Sequence, residues 1–288
     1  MELLTLPQIE QNVLIASILG DGEITKLYPG SRRKNNSYRE HFSPQQLDYR
    51  IWKINLLPQN FYFNKAKTYL LSPSLPLLTE MFPYFYNLDG NKIISNEILK
   101  LCDLPIFLAT LFLDDGSLSI TVQKNERKKR ICLTPHISLY LQCFSLEDLV
   151  KLQTHIYSSF SVELKISKRR DGFGYVLKTT KVSETLKFLQ IVLDVSGDCP
   201  SMFYKTNWNF RLEYEIERYR ESHPQYEVIA SSSDRGKNYS EEECALIQSM
   251  KHQGYTDKEI ALKLGRSYWS IVYKWREIGG KQFNSSIN

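Results

Sequence analysis

The sequence predicts an α+β protein of two pseudo-symmetric αββαββα units followed by a small all-α module. Three observations predict it. A short apolar helix ending in Asp-Gly occurs twice, the same order of elements follows each copy, and a small, polar run precedes two helix-capping signals near the C-terminus. An internal repeat of this kind decides the architecture, because each copy must fold as one unit of alternating periodicity.

The first unit, residues 1–103, opens with Asn12-Val13-Leu14-Ile15-Ala16-Ser17-Ile18-Leu19-Gly20-Asp21-Gly22. The second, residues 104–225, opens with Pro105-Ile106-Phe107-Leu108-Ala109-Thr110-Leu111-Phe112-Leu113-Asp114-Asp115-Gly116. Each reads as an apolar helix stopped by glycine, then a polar, strand-like stretch. In the first unit a strand is expected at 38–42, a helix at 45–57, strands within 61–71 and a helix at 75–86. The second unit offers a strand at 136–144, a helix at 145–160, strands within 162–178 and a helix at 182–195. Ser145 and Asp148 form an S-x-x-D start signal for the 145–160 helix. A mixed aromatic and charged helix over 201–221 closes the unit.

Residues 226–238 read as a flexible linker, from the small, polar run Ile229 to Gly236. In 239–288, Ser240 with Glu243 and Thr256 with Glu259 are capping boxes, and Gly254 and Gly265 close the helices they start. A third helix over 267–278 carries the stripe Tyr268, Ile271, Val272, Trp275 and Ile278. Three short helices with a tight turn before the last describe a helix-turn-helix bundle.

Composition narrows the function classes. Hydrophobic residues at 42% and charged residues at 24% are those of a globular chain, and no apolar run approaches the ~20 residues of a membrane helix. Met1-Glu2-Leu3-Leu4 carries no basic run or cleavage site, so no secretory leader and no membrane partner are expected. The five cysteines are scattered without C-x-x-C pairing, which points to a reducing intracellular compartment, cytoplasm or organelle matrix, and against zinc. The five histidines are equally dispersed, so any metal must be held by oxygen. The net charge of +5 is concentrated in basic clusters at 32–34, 124–130 and 165–170. One such cluster is usually a solvated loop; three among strand-like, tyrosine-rich segments suit phosphate contacts.

A carboxylate at a helix C-terminus, followed by glycine, can hold a hard divalent cation such as Mg²⁺ close to a phosphate. Here there are two, one per repeat: Asp21 and Asp115. The segments Leu14–Gly22 and Leu108–Gly116 resemble the two LAGLIDADG motifs of single-chain homing endonucleases, and the resemblance extends over about residues 8–222. It implies motif helices packed together at a pseudo-twofold axis and two sheets forming a DNA-binding saddle. Close helix approach needs small residues. Ala16 and Gly20 supply them in the first motif, whereas Thr110 and Asp114 are larger in the second.

The resemblance further implies a monomer that cuts both strands of DNA at a long asymmetric site, using Mg²⁺ or Mn²⁺. Asp21 and Asp115 would ligate metal, with the backbone carbonyls of Gly20 and Asp114 beside them. Lys92 and Lys205, before the last helix of each unit, would be the basic residues that assist water activation or charge stabilisation. Contacts to double-stranded DNA would come from Lys26, Tyr28, Arg32, Arg33, Lys34, Arg39, Lys65 and Lys67 in the first half. The second half would use Lys124, Arg127, Lys128, Arg130, Lys165, Lys168, Arg169 and Lys178. The C-terminal module resembles Myb-like or resolvase-like domains and would add Arg266, Ser267, Tyr268, Lys274 and Arg276. Two other readings share this scaffold: a non-cleaving DNA-binding transcriptional regulator, and an RNA-splicing maturase with intron RNA as its partner. A regulator of this kind loses its acidic ligands, so the two retained aspartates favour the enzyme.

Overall fold

The computed structural model describes residues 2–169, 171–231, 239–266 and 268–284. The chain divides into two units, residues 1–235 and 236–288. In the larger unit, α1 (Gln8–Leu19) is buried from Gln11 to Leu19, as a helix apolar all round must be. Asn12 pays for its burial locally: its amide donates to Leu101 O at 3.0 Å and its Oδ1 accepts from Leu104 N at 3.1 Å. After α1 come β1 (Gly22–Ile24), β2 (Tyr38–His41), α2 (Leu47–Ile54), β3 (Tyr62–Phe63), β4 (Tyr69–Leu71), α3 (Pro76–Phe85) and α4 (Asn96–Leu99). The sheet is antiparallel in the order β1-β2-β4-β3. Along β2, Tyr38 and Glu40 point inward and Arg39 and His41 outward, the two-residue alternation of a half-buried strand.

The second half repeats the order. α5 (Pro105–Asp115) starts with proline at its first turn, where no N–H is needed, and is buried from Ile106 to Asp114. β5 (Gly116–Asn125) and β6 (Arg130–Leu139) form a long hairpin in register from Gly116 against Leu139 to Asn125 against Arg130. Then follow α6 (Leu146–Phe160), β7 (Lys165–Lys168), β8 (Tyr175–Lys178) and α7 (Val182–Ser196), giving the sheet order β5-β6-β8-β7. Ser145 caps α6, accepting from Asp148 N at 3.1 Å.

Four expectations are corrected. The segment 201–221 is not one helix but α8 (Phe203–Thr206) and α9 (Trp208–Ser222), separated at Asn207, whose side chain caps the second by accepting from Phe210 N at 3.0 Å. The linker does not begin at 226. Glu227–Ala230 forms β9, parallel to Arg130–Leu133 of β6, because Tyr226 and Val228 pack with Leu212 and Ile216 over the buried Ile131 and Leu133. Residues 232–238 of that stretch lie outside the described residues. The strand expected at 136–144 runs over 130–139, and the basic 124–130 stretch is largely the end of the hairpin ladder. Finally, the last helix continues past Ile278 to Asn284.

In the smaller unit, α10 (Glu241–His252) and α11 (Asp257–Leu264) each begin with a complete capping box, at Ser240–Glu243 and Thr256–Glu259. α12 (Tyr268–Asn284) follows, and Ile247, Met250, Ile260 and Ile271 form the core. Tyr268, placed on the apolar stripe by its spacing, is 41% exposed. Among the described residues, no helix is long and apolar enough to cross a membrane.

α1 and α5 pack against each other at the centre of the larger unit. They approach closely at Gly20, where a Cβ would fall 2.8 Å from Asp114 Cβ and 2.7 Å from its Oδ2. The bulk of Asp114 is thus accommodated because its opposite number is glycine. Gly20→Ala overpacks this contact, which typically costs ~1–3 kcal/mol, and lowers the melting temperature by roughly 3–10 °C; an unchanged melt would contradict the packing. Ending the chain after Ser231 leaves the melt of the larger unit unchanged. Ending it after Gln225 uncovers Ile131 and Leu133 and lowers the melt by roughly 5–10 °C; equal melts would show that β9 contributes nothing.

Candidate active site

The paired helices end side by side, and their terminal aspartates differ sharply in surroundings. Asp21, just past α1, has a side chain 30% exposed and accepts from Arg50 Nη2 at 2.5 Å. Asp115, the last residue of α5, is half-buried, and its carboxyl is pushed up to about 7 by burial and by the charges of Asp21 and Asp114. Lys92 and Lys205 both reach this place. Lys92 Nζ donates to Gly20 O at 2.9 Å and Gly22 O at 2.8 Å, and Lys205 Nζ donates to Leu113 O at 2.9 Å. Carbonyls at a helix C-terminus carry partial negative charge, so cations gather there. Burial lowers the pKa of both lysines, although the neighbouring carboxylates oppose it.

Asp114 is turned the other way, into a closed charge cluster. Its carboxylate accepts from Tyr49 Oη at 2.7 Å, Lys53 Nζ at 2.7 Å and Arg50 Nη1 at 3.2 Å. Lys53 also donates to Glu40 at 3.0 Å, and Arg50 Nε lies 2.6 Å from Glu40 Oε1, off the hydrogen-bond direction. The Tyr38 hydroxyl donates to Glu40 as well. The side chains of Arg50, Lys53, Glu40 and Asp114 are all 0% exposed. Burial pushes the Asp114 carboxyl up, but Lys53 and Arg50 outweigh it and hold it below its ordinary value. Burial raises the Glu40 carboxyl. Asp21, Glu40 and Asp114 place carboxylate oxygens within 4.8 Å of one another. Arg50 and Lys53 already fill that space with positive charge, so the trio is an ion-pair cluster.

The profile of the LAGLIDADG DNA endonuclease family matches residues 11–186, from inside the first motif helix to α7. The chain belongs to the LAGLIDADG DNA endonuclease family. A solved structure of the homing endonuclease I-WcaI bound to its DNA recognition sequence superposes on this LAGLIDADG chain with a TM-score of 0.50. It covers 70% of this chain and 87% of that one at 19% identity, which establishes the shared fold. Full-length DUF199/WhiA from Thermatoga maritima aligns over 96% of this chain and 93% of that one, at 17% identity and a TM-score of 0.36. The Protein RecA of Mycolicibacterium flavescens is 27% identical over 205 residues, which are 69% of this chain and 46% of that protein. The LAGLIDADG chain thus spans about half the length of the curated relative it matches.

The basic residues expected to meet DNA are brought together only in part. Lys26, Tyr28, Arg33 and Arg39 line one open groove of about 600 Å³ over the first sheet. Within it Arg39 pairs with Glu23 at 2.5 Å and Arg33 donates to Ser37 at 2.8 Å. Arg32 and Lys34 are exposed in the loop between β1 and β2, and Lys65 and Lys67 in the β3–β4 turn. Lys124, Lys128 and Arg130 border a groove of about 410 Å³ at the far end of the long hairpin. There Lys124 pairs with Glu126 at 2.9 Å and Arg130 with Glu227 at 2.6 Å, while Arg127 sits exposed in the turn. Lys165 and Lys178 are ladder partners, Lys168 faces Tyr175, and Arg169 is paired to Asp171.

In the smaller unit Arg266 is bound to Glu243 at 2.7 Å and lies over the Tyr239 ring at 4.3 Å, so it braces that fold. Lys274 is tied to Glu277 at 3.2 Å, and Arg276 is exposed. Ser267 lies outside the described residues. Sequence reasoning missed two sets. One is the polar face Ser117, Ser119, Thr121 and Gln123, set by the ladder beside Ser138, His136, Thr134 and Cys132; its strict two-residue alternation is visible in the sequence. The other is the Glu40, Tyr49, Arg50 and Lys53 set. No signal marks it, since Leu47, Ile51 and Ile54 suggest the opposite face of α2, yet Ile51 is 42% exposed.

Asp21 and Asp115 are the carboxylates that could hold a divalent cation here. Asp115 is half-buried, its carboxyl raised by burial and then by its neighbours' negative charge, and the Asp21 carboxylate is accessible. The Gly20 carbonyl, expected as a further metal donor, accepts from Lys92 here. Linkage gives a test. Asp115 titrates near 7 in the folded state against an ordinary value of 3.8, so between those values the unfolded chain binds fewer protons and stability falls as pH rises. Without metal, the Asp115 carboxyl therefore lowers the melting temperature as pH rises from about 4 to 7, and Asp115→Asn lessens that fall. Ca²⁺ or Mn²⁺ raises the melt more at pH 8 than at pH 5. A metal-induced rise that is the same at both pH values, or undiminished in Asp115→Asn, would rule out Asp115 as a ligand.

Proposed function

We propose that this LAGLIDADG chain is a monomeric, metal-dependent endonuclease that cuts both strands of double-stranded DNA at a long, asymmetric site. One observation carries the reading: Asp21 and Asp115 stand at the adjoining ends of packed helices, with Lys92 and Lys205 seated on carbonyls of those same ends. Hydrolysis adds the oxygen of water to phosphorus, breaks one P–O bond to sugar, and delivers a proton to the leaving sugar oxygen. Mg²⁺ or Mn²⁺ held by Asp21 and Asp115 would supply charge stabilisation and a more acidic water. The Asp114 carbonyl adds negative potential beside them. Lys92 and Lys205, made less basic by burial, release a proton more readily than exposed lysines, which suits protonation of the leaving oxygen or neutralisation of charge on phosphate.

The outward faces of the two sheets read the duplex. Arg39, His41 and the groove around Lys26 and Arg33 serve one half. The Ser117–Gln123 row with His136 and Lys178 serves the other. The smaller unit acts as a helix-turn-helix that adds contacts through Tyr268 and Arg276, while Arg266 ties the turn before α12 to Glu243 of α10.

The test is cleavage of a randomised duplex library with Mg²⁺, using the protein beside Asp21→Asn and Asp115→Asn. Each variant loses double-strand cutting by more than the ~10–100-fold typical of groups that merely support a ligand, with binding retained. Binding without cleavage by the unaltered protein would overturn the enzyme in favour of a non-cleaving regulator. Preference for intron RNA over DNA would favour a maturase.

A further inference from the structure

The two half-sites are not chemically equivalent, and the difference lies in one residue. Arg50 is fully buried and held on several sides: by Glu40 at 2.6 Å, by Asp114 at 3.2 Å, and against the Tyr49 ring at 4.5 Å. Its Nη2 projects from this cluster to Asp21 Oδ2 at 2.5 Å. This is no flexible surface pair, because withdrawing the guanidinium leaves Lys53 as the one cation for two buried carboxylates. Asp115, by contrast, makes no hydrogen bond or ion pair through its carboxylate among the described residues; Lys92 and Lys205 donate to backbone carbonyls instead.

The repeat explains why. Arg50 lies as far beyond the helix-starting Ser43 as Leu152 lies beyond Ser145. Across the ladders, Glu40 pairs with Gly22 where Leu139 pairs with Gly116. Asp114 precedes Asp115 as Gly20 precedes Asp21. Arg50, Glu40 and Asp114 thus have Leu152, Leu139 and Gly20 as their counterparts in the repeat.

Resting on the reading of Asp21 and Asp115 as metal ligands, we infer that Arg50 is a positioning residue that makes the two metal sites unequal, with the Asp21 site weaker than the Asp115 site. Arg50 fixes the Asp21 carboxylate and occupies one of its oxygens, and its charge opposes an incoming cation only a few ångströms away. A penalty of roughly tenfold to a hundredfold in affinity is the expected order. At limiting metal the protein then cuts one strand ahead of the other.

Mn²⁺ titration of the full chain, with free Mn²⁺ counted by electron paramagnetic resonance, tests this without any cleavage. The unaltered protein shows two classes of site. Asp21→Asn retains the tighter and Asp115→Asn the weaker, and neither substitution disturbs the buried cluster. Arg50→Lys keeps a positive charge near Glu40 but shortens the reach to Asp21, and draws the two affinities together. On a duplex the protein cuts, singly nicked product accumulates at sub-saturating Mn²⁺, and less of it in Arg50→Lys. Equal affinities in the two asparagine variants, or loss of the tighter class in Asp21→Asn, would overturn the inference while leaving the metal centre intact. Mn²⁺ binding that is absent, or unchanged by either asparagine, would instead overturn the assignment of both aspartates as ligands.

Discussion

The larger unit is organised around the contact between the ends of α1 and α5. The two helices can approach there because Gly20 offers no side chain, and Asp114 takes the space that a Cβ would need. That single approach fixes where both chains leave their helices, and so where Asp21, Asp115 and the strands that follow them must stand. β1 starts at Gly22 and β5 at Gly116, each directly behind its aspartate. The two sheets therefore inherit their placement from the helix pair.

Burying Asp114 in this contact has a consequence that spreads through α2 and β2. An isolated carboxylate in such a place would be prohibitively costly, and it is compensated by Lys53 and Arg50, which in turn require Glu40. Two acids and two bases close a cluster with no solvent contact, in which Tyr38 and Tyr49 satisfy remaining acceptors. Such clusters are weak sources of stability compared with apolar packing, but they fix geometry, because moving any member leaves buried charge under-compensated. Here the member at the edge is Arg50, and it carries the geometry of the interior out to Asp21.

Much of this was legible in the sequence. The doubled Asp-Gly helices, the Ser145 cap, both capping boxes and the order of strands and helices all follow from local periodicity and cap chemistry, and they appear where those rules put them. The placement of Lys92 and Lys205 against the motif helix ends was also foreseeable, though only through resemblance to a family. What could not be read was tertiary. β9 looks like linker because its partner strand is nearly a hundred residues earlier in the chain. Arg50 and Lys53 look like surface charges because nothing local reveals that Asp114 will be pressed into the same space. Several arginines and lysines offered for DNA, Arg266 and Arg130 among them, also pair with carboxylates, which composition cannot signal.

The central claim is that the cation-binding centre lies at Asp21 and Asp115, outside the buried cluster. The most direct measurement is anomalous diffraction from a crystal of the protein with Mn²⁺ and a duplex that it binds. Peaks beside the carboxylates of Asp21 and Asp115, with Arg50 and Lys53 still bridging Glu40 and Asp114, are the result predicted. A peak between Glu40 and Asp114, or Mn²⁺ sites only at positions remote from both helix ends, would contradict it.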